Sequence, residues 1–125
     1  MEVAKGIEDA WWRSWSLAWI AAEMAEVGEF ERAMEVAKGI EDAWWRSRAL
    51  AWIAAEMAKV GEFERAMEVA KGIEDASERS WALERIAEEM VKVGEFERAI
   101  ELAKGIEDAR ERSEALARIA AEMAR

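Results

Sequence analysis

Cysteine, histidine, proline and tyrosine are all absent from this chain. Without cysteine there is neither a disulfide framework nor a thiolate metal site, and the sequence does not fix a redox compartment. Without histidine as well, the usual nucleophile and base pairs and the common zinc and copper ligands are missing, so no enzyme activity, cofactor or metal is expected. The lack of proline removes the strongest helix breaker. Ala, Glu, Met, Leu, Ile, Lys and Arg dominate what remains, and these residues lose little freedom in a helix, so an all-α chain is expected. Positive charge is also scarce, at 18 basic against 28 acidic residues and a net charge of -10. Such a chain repels a phosphate backbone, and it has no basic run to offset that, so nucleic acid is not an expected partner. No apolar run approaches the roughly 20 residues that span a bilayer, and the opening residues lack the apolar core of a signal peptide. No membrane partner is expected, and the chain reads as intracellular or as a recombinant cytoplasmic product.

The glycines that are present fall into two series, Gly6, Gly39, Gly72 and Gly105, and Gly28, Gly61 and Gly94, each stepping by 33 residues. They divide a single domain, residues 1–125, into a remnant at 1–9, repeats at 10–42, 43–75 and 76–108, and a partial repeat at 109–125. The first two full repeats differ at only three places, Trp15 against Arg48, Ser16 against Ala49 and Glu26 against Lys59. That likeness points to a designed, consensus-style sequence or to very recent duplication, with design favoured.

Each repeat encodes two helices. The longer follows an aspartate, whose carboxylate caps the free N–H groups, and ends at a glycine able to turn left-handed, as from Asp75 to Gly94. Leu83, Ile86, Ala87 and Met90 within it keep the spacing of one buried face. The shorter helix is expected from about Phe96 to Lys104, stopping at Gly105, and Gly6, Gly39 and Gly72 are expected to be stops of the same kind. The run Ala82, Leu83, Ile86, Ala87, Met90, Gly94, Phe96, Glu97, Arg98, Ala99, Ala103 resembles the tetratricopeptide-like repeat family, with Gly94 at the turn and Ala99 at the close helix crossing. The likeness covers nearly the whole chain. It departs in its period of 33 rather than the usual 34 residues, in Ala103 where a large aromatic is common, and in lacking a proline after the second helix. The resemblance implies an α-solenoid of tandem antiparallel helix pairs, and a protein-binding scaffold that works through the face lined by the first helix of each pair.

The unusual feature is tryptophan. Trp11, Trp12, Trp15 and Trp19 fall within one repeat, Trp44, Trp45 and Trp52 recur in the next, and Trp81 takes the place of Trp15 in the third. On a helical wheel these rings lie opposite Leu17, Ile20 and Met24, the expected core face, so the helix is apolar on both sides. A second face could pack inside the protein. Against that, the equivalent places in the last repeat hold Arg110, Glu111, Glu114 and Arg118, which a core would not tolerate. Trp12 and Trp45 also replace the glutamate of a capping box, which Asp75 with Glu78 and Asp108 with Glu111 retain, at a cost of ~0.5 kcal/mol or more each. Seven tryptophans on two adjacent helices could hide roughly 1,000 Å² under a partner. The expected partner is another copy of the chain, most simply across a two-fold axis, with Arg13, Arg46 and Arg48 stacking or pairing at the edge of the patch. The runner-up is a groove for a peptide or a small aromatic or cationic ligand.

The chain is seven residues short of four 33-residue repeats. Trimmed, fraying ends account for this. So does a head-to-tail ring or fibre, in which Val3 in the remnant of one copy covers Leu116, Ile119 and Met123 of another. The recurring carboxylate pairs, such as Glu74 with Asp75, read as helix starts rather than acid-base groups, and Met24, Met57, Met90 and Met123 read as core.

Overall fold

A computed structural model describes the backbone of residues 2–125 and the side chains of residues 9–125. Among the described residues every regular element is helical: α1 (Glu2–Glu26), α2 (Phe30–Lys38), α3 (Ala43–Lys59), α4 (Phe63–Lys71), α5 (Ala76–Lys92), α6 (Phe96–Lys104) and α7 (Ala109–Met123). Each of the long helices α1, α3, α5 and α7 touches the next long helix, and each short helix touches the long helices before and after it. Successive short helices are spanned by side chains: Arg65 of α4 reaches Glu31 of α2, and Arg98 of α6 reaches Glu64 of α4.

Local chemistry sets these boundaries. The carboxylates of Asp42, Asp75 and Asp108 accept the backbone N–H groups of Trp45, Glu78 and Glu111 at 2.9 to 3.0 Å, starting α3, α5 and α7. The first three long helices end before Gly28, Gly61 and Gly94, whose φ values of 84°, 85° and 82° only glycine adopts cheaply. The next residue then donates to a carbonyl one turn back, as Glu62 does to Met57 at 2.9 Å, which satisfies an otherwise orphaned acceptor.

The short helices stop differently. Gly39, Gly72 and Gly105 keep right-handed φ values of -83°, -87° and -83°, so the glycine itself imposes no break. Instead Ile40, Ile73 and Ile106 drop into the core, each 1% exposed, and their carbonyls accept from Arg46, Arg79 and Arg112. Gly6 is not a stop: α1 runs through it. A right-handed glycine is compatible with continuing helix, and the buried isoleucine and clasping arginine end the other three.

Each interior long helix has two buried faces. The forward face, turned to the elements that follow, is Ser14, Ala18, Ala21 and Ala25 in α1 and Ser47, Ala51, Ala54 and Ala58 in α3. The backward face, turned to the elements before, is Ala49, Ile53 and Met57 in α3 and Ala82, Ile86 and Met90 in α5. The small forward residues let the neighbouring helix approach closely, and the larger backward residues fill the seam.

This two-faced packing corrects the sequence reading at both ends. Leu17, Ile20 and Met24 do not centre the buried side of α1. Ile20 is 43% exposed, and Leu17 and Met24 are half-buried, because they form a backward face that no described helix covers. In α7 the situation reverses. Ile119, expected at an open end contact, is 4% exposed because it packs backward with Ala115, while Leu116 is half-buried and Met123 is open at 52%. Val3 lies outside the described side chains.

Candidate functional site

Six of the seven tryptophans of α1 and α3, all but Trp52, form a continuous aromatic train. Ring centroids lie 4.7 Å apart from Trp44 to Trp45, 5.7 Å from Trp45 to Trp11, 4.8 Å from Trp11 to Trp12 and 5.4 Å from Trp12 to Trp15, all edge to face. Trp15 then stacks on Trp19 at 6.2 Å. Such pairs contribute about 0.5–1.5 kcal/mol each beyond area burial, so the rings order one another.

They are not equally open. Trp12 and Trp19 are each 54% exposed, Trp11 and Trp44 45% and Trp15 37%, whereas Trp45, Trp52 and Trp81 are half-buried against the core. Trp12 and Trp19 have the same adjacent residues as Trp45 and Trp52, and differ a helical turn away, where Trp15 stands in place of the Arg48 that covers Trp52. The larger difference is tertiary: α1 lies beside α3 on its backward side, and no described helix lies there for α1. The five more exposed rings leave on the order of 500 Å² of indole bare. Unpartnered apolar patches on soluble monomers rarely exceed this size, and it is a large part of the roughly 800 Å² that one side of a standard interface buries.

The arginines divide into two groups. Arg48 lies over Trp44 at 5.8 Å and Trp52 at 5.1 Å, and its Nη1 donates to the nearly buried Glu78 carboxylate at 3.2 Å. Arg85 sits over Trp81 at 5.8 Å, with its Nε buried and without a hydrogen-bond partner. Arg13 and Arg46, expected at the patch edge, turn the other way. Arg13 donates to Glu41, while Arg46 donates to the Ile40 and Glu41 carbonyls and to Glu74. They clasp the turn that follows each short helix.

The capping box also differs from expectation. The Asp75 N–H donates to Ser47 Oγ at 3.2 Å, and the Glu78 carboxylate is taken by Arg48 of the preceding long helix. The aspartate half of the box is made at Asp42 as well, where tryptophan holds the third position. At Trp45 the residue in Arg48's place on the preceding long helix is Trp15, so tryptophan there forgoes no partner of that kind, and the aspartate cap is kept.

Trp19, Ala22, Trp52, Ala55, Trp81 and Arg85 line one shallow groove of about 290 Å³ across α1, α3 and α5. A larger hollow, about 490 Å³, lies between α5 and α7, where tryptophan gives way to charge. There Arg118 reaches Glu84 at 3.5 Å and Glu88 at 3.6 Å. Burial raises the Glu84 pKa above the usual carboxylate value, Arg118 opposes the rise, and Glu111, Glu88 and Glu114 add to it. A further hollow, about 790 Å³, includes Met67, Leu83 and Leu102 in its lining and has no tryptophan. Compared with family models, curated proteins and solved structures, the chain matches none.

Proposed function

We propose that the chain is a non-enzymatic helical-repeat scaffold, built as an α-solenoid of 33-residue helix pairs of tetratricopeptide-like character, that associates with further copies of itself through its tryptophan-bearing surface. The near-identity of the first repeats fits a designed or consensus-type origin. One observation carries the reading: five indoles of one aromatic train, with Trp45 linking Trp44 to the other four, stand 37–54% exposed on α1 and α3, at places where α7 carries Arg110, Glu111, Glu114 and Arg118. A fold that accepts ions at these positions has no structural need for indoles there, and an uncovered patch of this size has an apolar surface as its natural complement. The rival reading, a cage for a cationic ligand, is disfavoured because Arg48 and Arg85 already occupy the faces of Trp44, Trp52 and Trp81.

The test is molar mass by light scattering across a dilution series. The wild type should exceed 14.2 kDa when concentrated. The variant Trp12→Arg with Trp19→Arg should stay at the monomer mass with unchanged helicity, since each ring is about half exposed and Trp19 is equivalent to Arg85 and Arg118. A wild type that is monomeric at every concentration would remove the proposal.

A further inference from the structure

The forward face of α7 is bare. Ser113, Ala117, Ala120 and Ala124 are all exposed, as is Ala121 beside them. Their equivalents are Ser14, Ala18, Ala21 and Ala25 in α1, with Ala22 beside them, and Ser47, Ala51, Ala54 and Ala58 in α3, with Ala55 beside them. The residue types are the same in all three helices. In α5 the face departs, with Glu84, Glu88 and Val91 at the places of Ala18, Ala22 and Ala25.

What each forward face receives within the chain follows this difference. The position held by Arg118 reaches Glu84 and Glu88 of the helix before it. By the 33-residue step, Trp52 therefore lies against Ala18 and Ala22, and the groove shared by Trp52 and Ala22 agrees. The glutamate pair thus meets arginine, while of the two alanine pairs covered within the chain that of α1 meets Trp52 and that of α3, Ala51 with Ala55, meets Arg85, whose buried Nε finds no hydrogen-bond partner there. Ala117 and Ala121 of α7 form a third alanine pair, and the chain has one tryptophan at the matching backward position that no described helix covers, Trp19 of α1, 54% exposed.

The geometry points to a head-to-tail contact in which the backward face of α1 in one copy docks on the forward face of α7 in another, as α3 docks on α1. The contact rests on self-association but not on tryptophan meeting tryptophan. Trp19 lies over Ala117 and Ala121, and Ile20 enters the seam as Ile53 does inside the chain. Trp12 meets Arg110 as Trp45 meets Trp11, so a cation over a ring replaces an edge-to-face pair. Because the two surfaces differ, each copy keeps one of each free, and the assembly grows to a ring or an open fibre.

A mixing experiment with two chains tests this. The variant Ala117→Glu with Ala121→Glu blocks α7 by copying α5, at positions exposed enough to leave folding intact, which circular dichroism verifies. The variant Trp19→Glu with Ile20→Glu blocks α1 at two exposed positions, and its carboxylates repel those of the α7 variant. Each should be monomeric alone, and an equimolar mixture should give a species of two chains and no more. If the α7 variant associates like the wild type while the α1 variant does not, the head-to-tail contact is overturned and tryptophan-mediated self-association stands. A mixture that stays monomeric overturns the contact, and a wild type that never associates overturns both readings.

Discussion

Isoleucine holds the same place in all four long helices, yet Ile20 is 43% exposed, Ile53 and Ile86 0% and Ile119 4%. Cutting each to alanine separates the two-faced packing from any account based on local sequence. At Ile53 the lost transfer energy and the residual cavity together cost about 3–4 kcal/mol, within the range for buried isoleucine. At Ile20 about half of the side chain is already in water and no sealed cavity forms, so the cost is about 1–1.5 kcal/mol. For 125 residues each kcal/mol lowers the unfolding midpoint by about 4 °C, giving losses of roughly 12–16 °C against roughly 5 °C. Ile119→Ala should mainly release α7, read as faster amide exchange there than in α3, because each helix contacts only its neighbours. The assay is thermal unfolding by circular dichroism in dilute solution, repeated when concentrated, where docking on α1 should increase the loss at Ile20. Equal losses for Ile20→Ala and Ile53→Ala in dilute solution would refute the assignment of faces.

Three further predictions come from other parts of the molecule. Arg48→Ala leaves the nearly buried Glu78 carboxylate without its partner and should cost about 1–2 kcal/mol in denaturant unfolding, moderated by the partial exposure of Arg48; Glu78→Gln in the same background should recover part of it. Glu84 has a raised pKa in the folded chain, so its contribution is most favourable below the ordinary carboxylate pKa and is lost as pH rises through the folded value. Glu84→Gln should therefore flatten the fall in midpoint over that window, whereas an unchanged pH profile would show that burial does not govern this carboxyl group. Gly61→Ala, at φ 85°, should lose about 1–2 kcal/mol, and Gly72→Ala, at φ -87° and with its nearest neighbour at 3.6 Å, should be neutral or slightly stabilising.

The helix boundaries were legible because local chemistry sets them: an aspartate cap, a left-handed glycine, and Phe96–Lys104 as a short amphipathic segment. The tryptophan surface was legible from its period. Features set by residues about thirty apart were not. Trp12 and Trp45 sit in the same run, Ala-Trp-Trp-Arg-Ser, yet differ in exposure, because among the described elements α3 has a long helix behind it and α1 has none. Glu78 looked like half of a capping box until Arg48, on the preceding long helix, claimed its carboxylate. Arg13 and Arg46 sit beside tryptophans in sequence, but the side on which a helix places them sends them to Glu41 and Glu74. Ile20 matched the core pattern, but the pattern cannot say whether a helix is there to receive it.

The most direct measurement follows tryptophan emission and its quenching by acrylamide from dilute to concentrated protein. Self-association through the indoles predicts a shift to shorter wavelength and a fall in quenching as concentration rises, both absent when Trp12 and Trp19 are replaced by arginine. Emission and quenching that stay constant while the molar mass increases would contradict it, since the copies would then be meeting through some other surface.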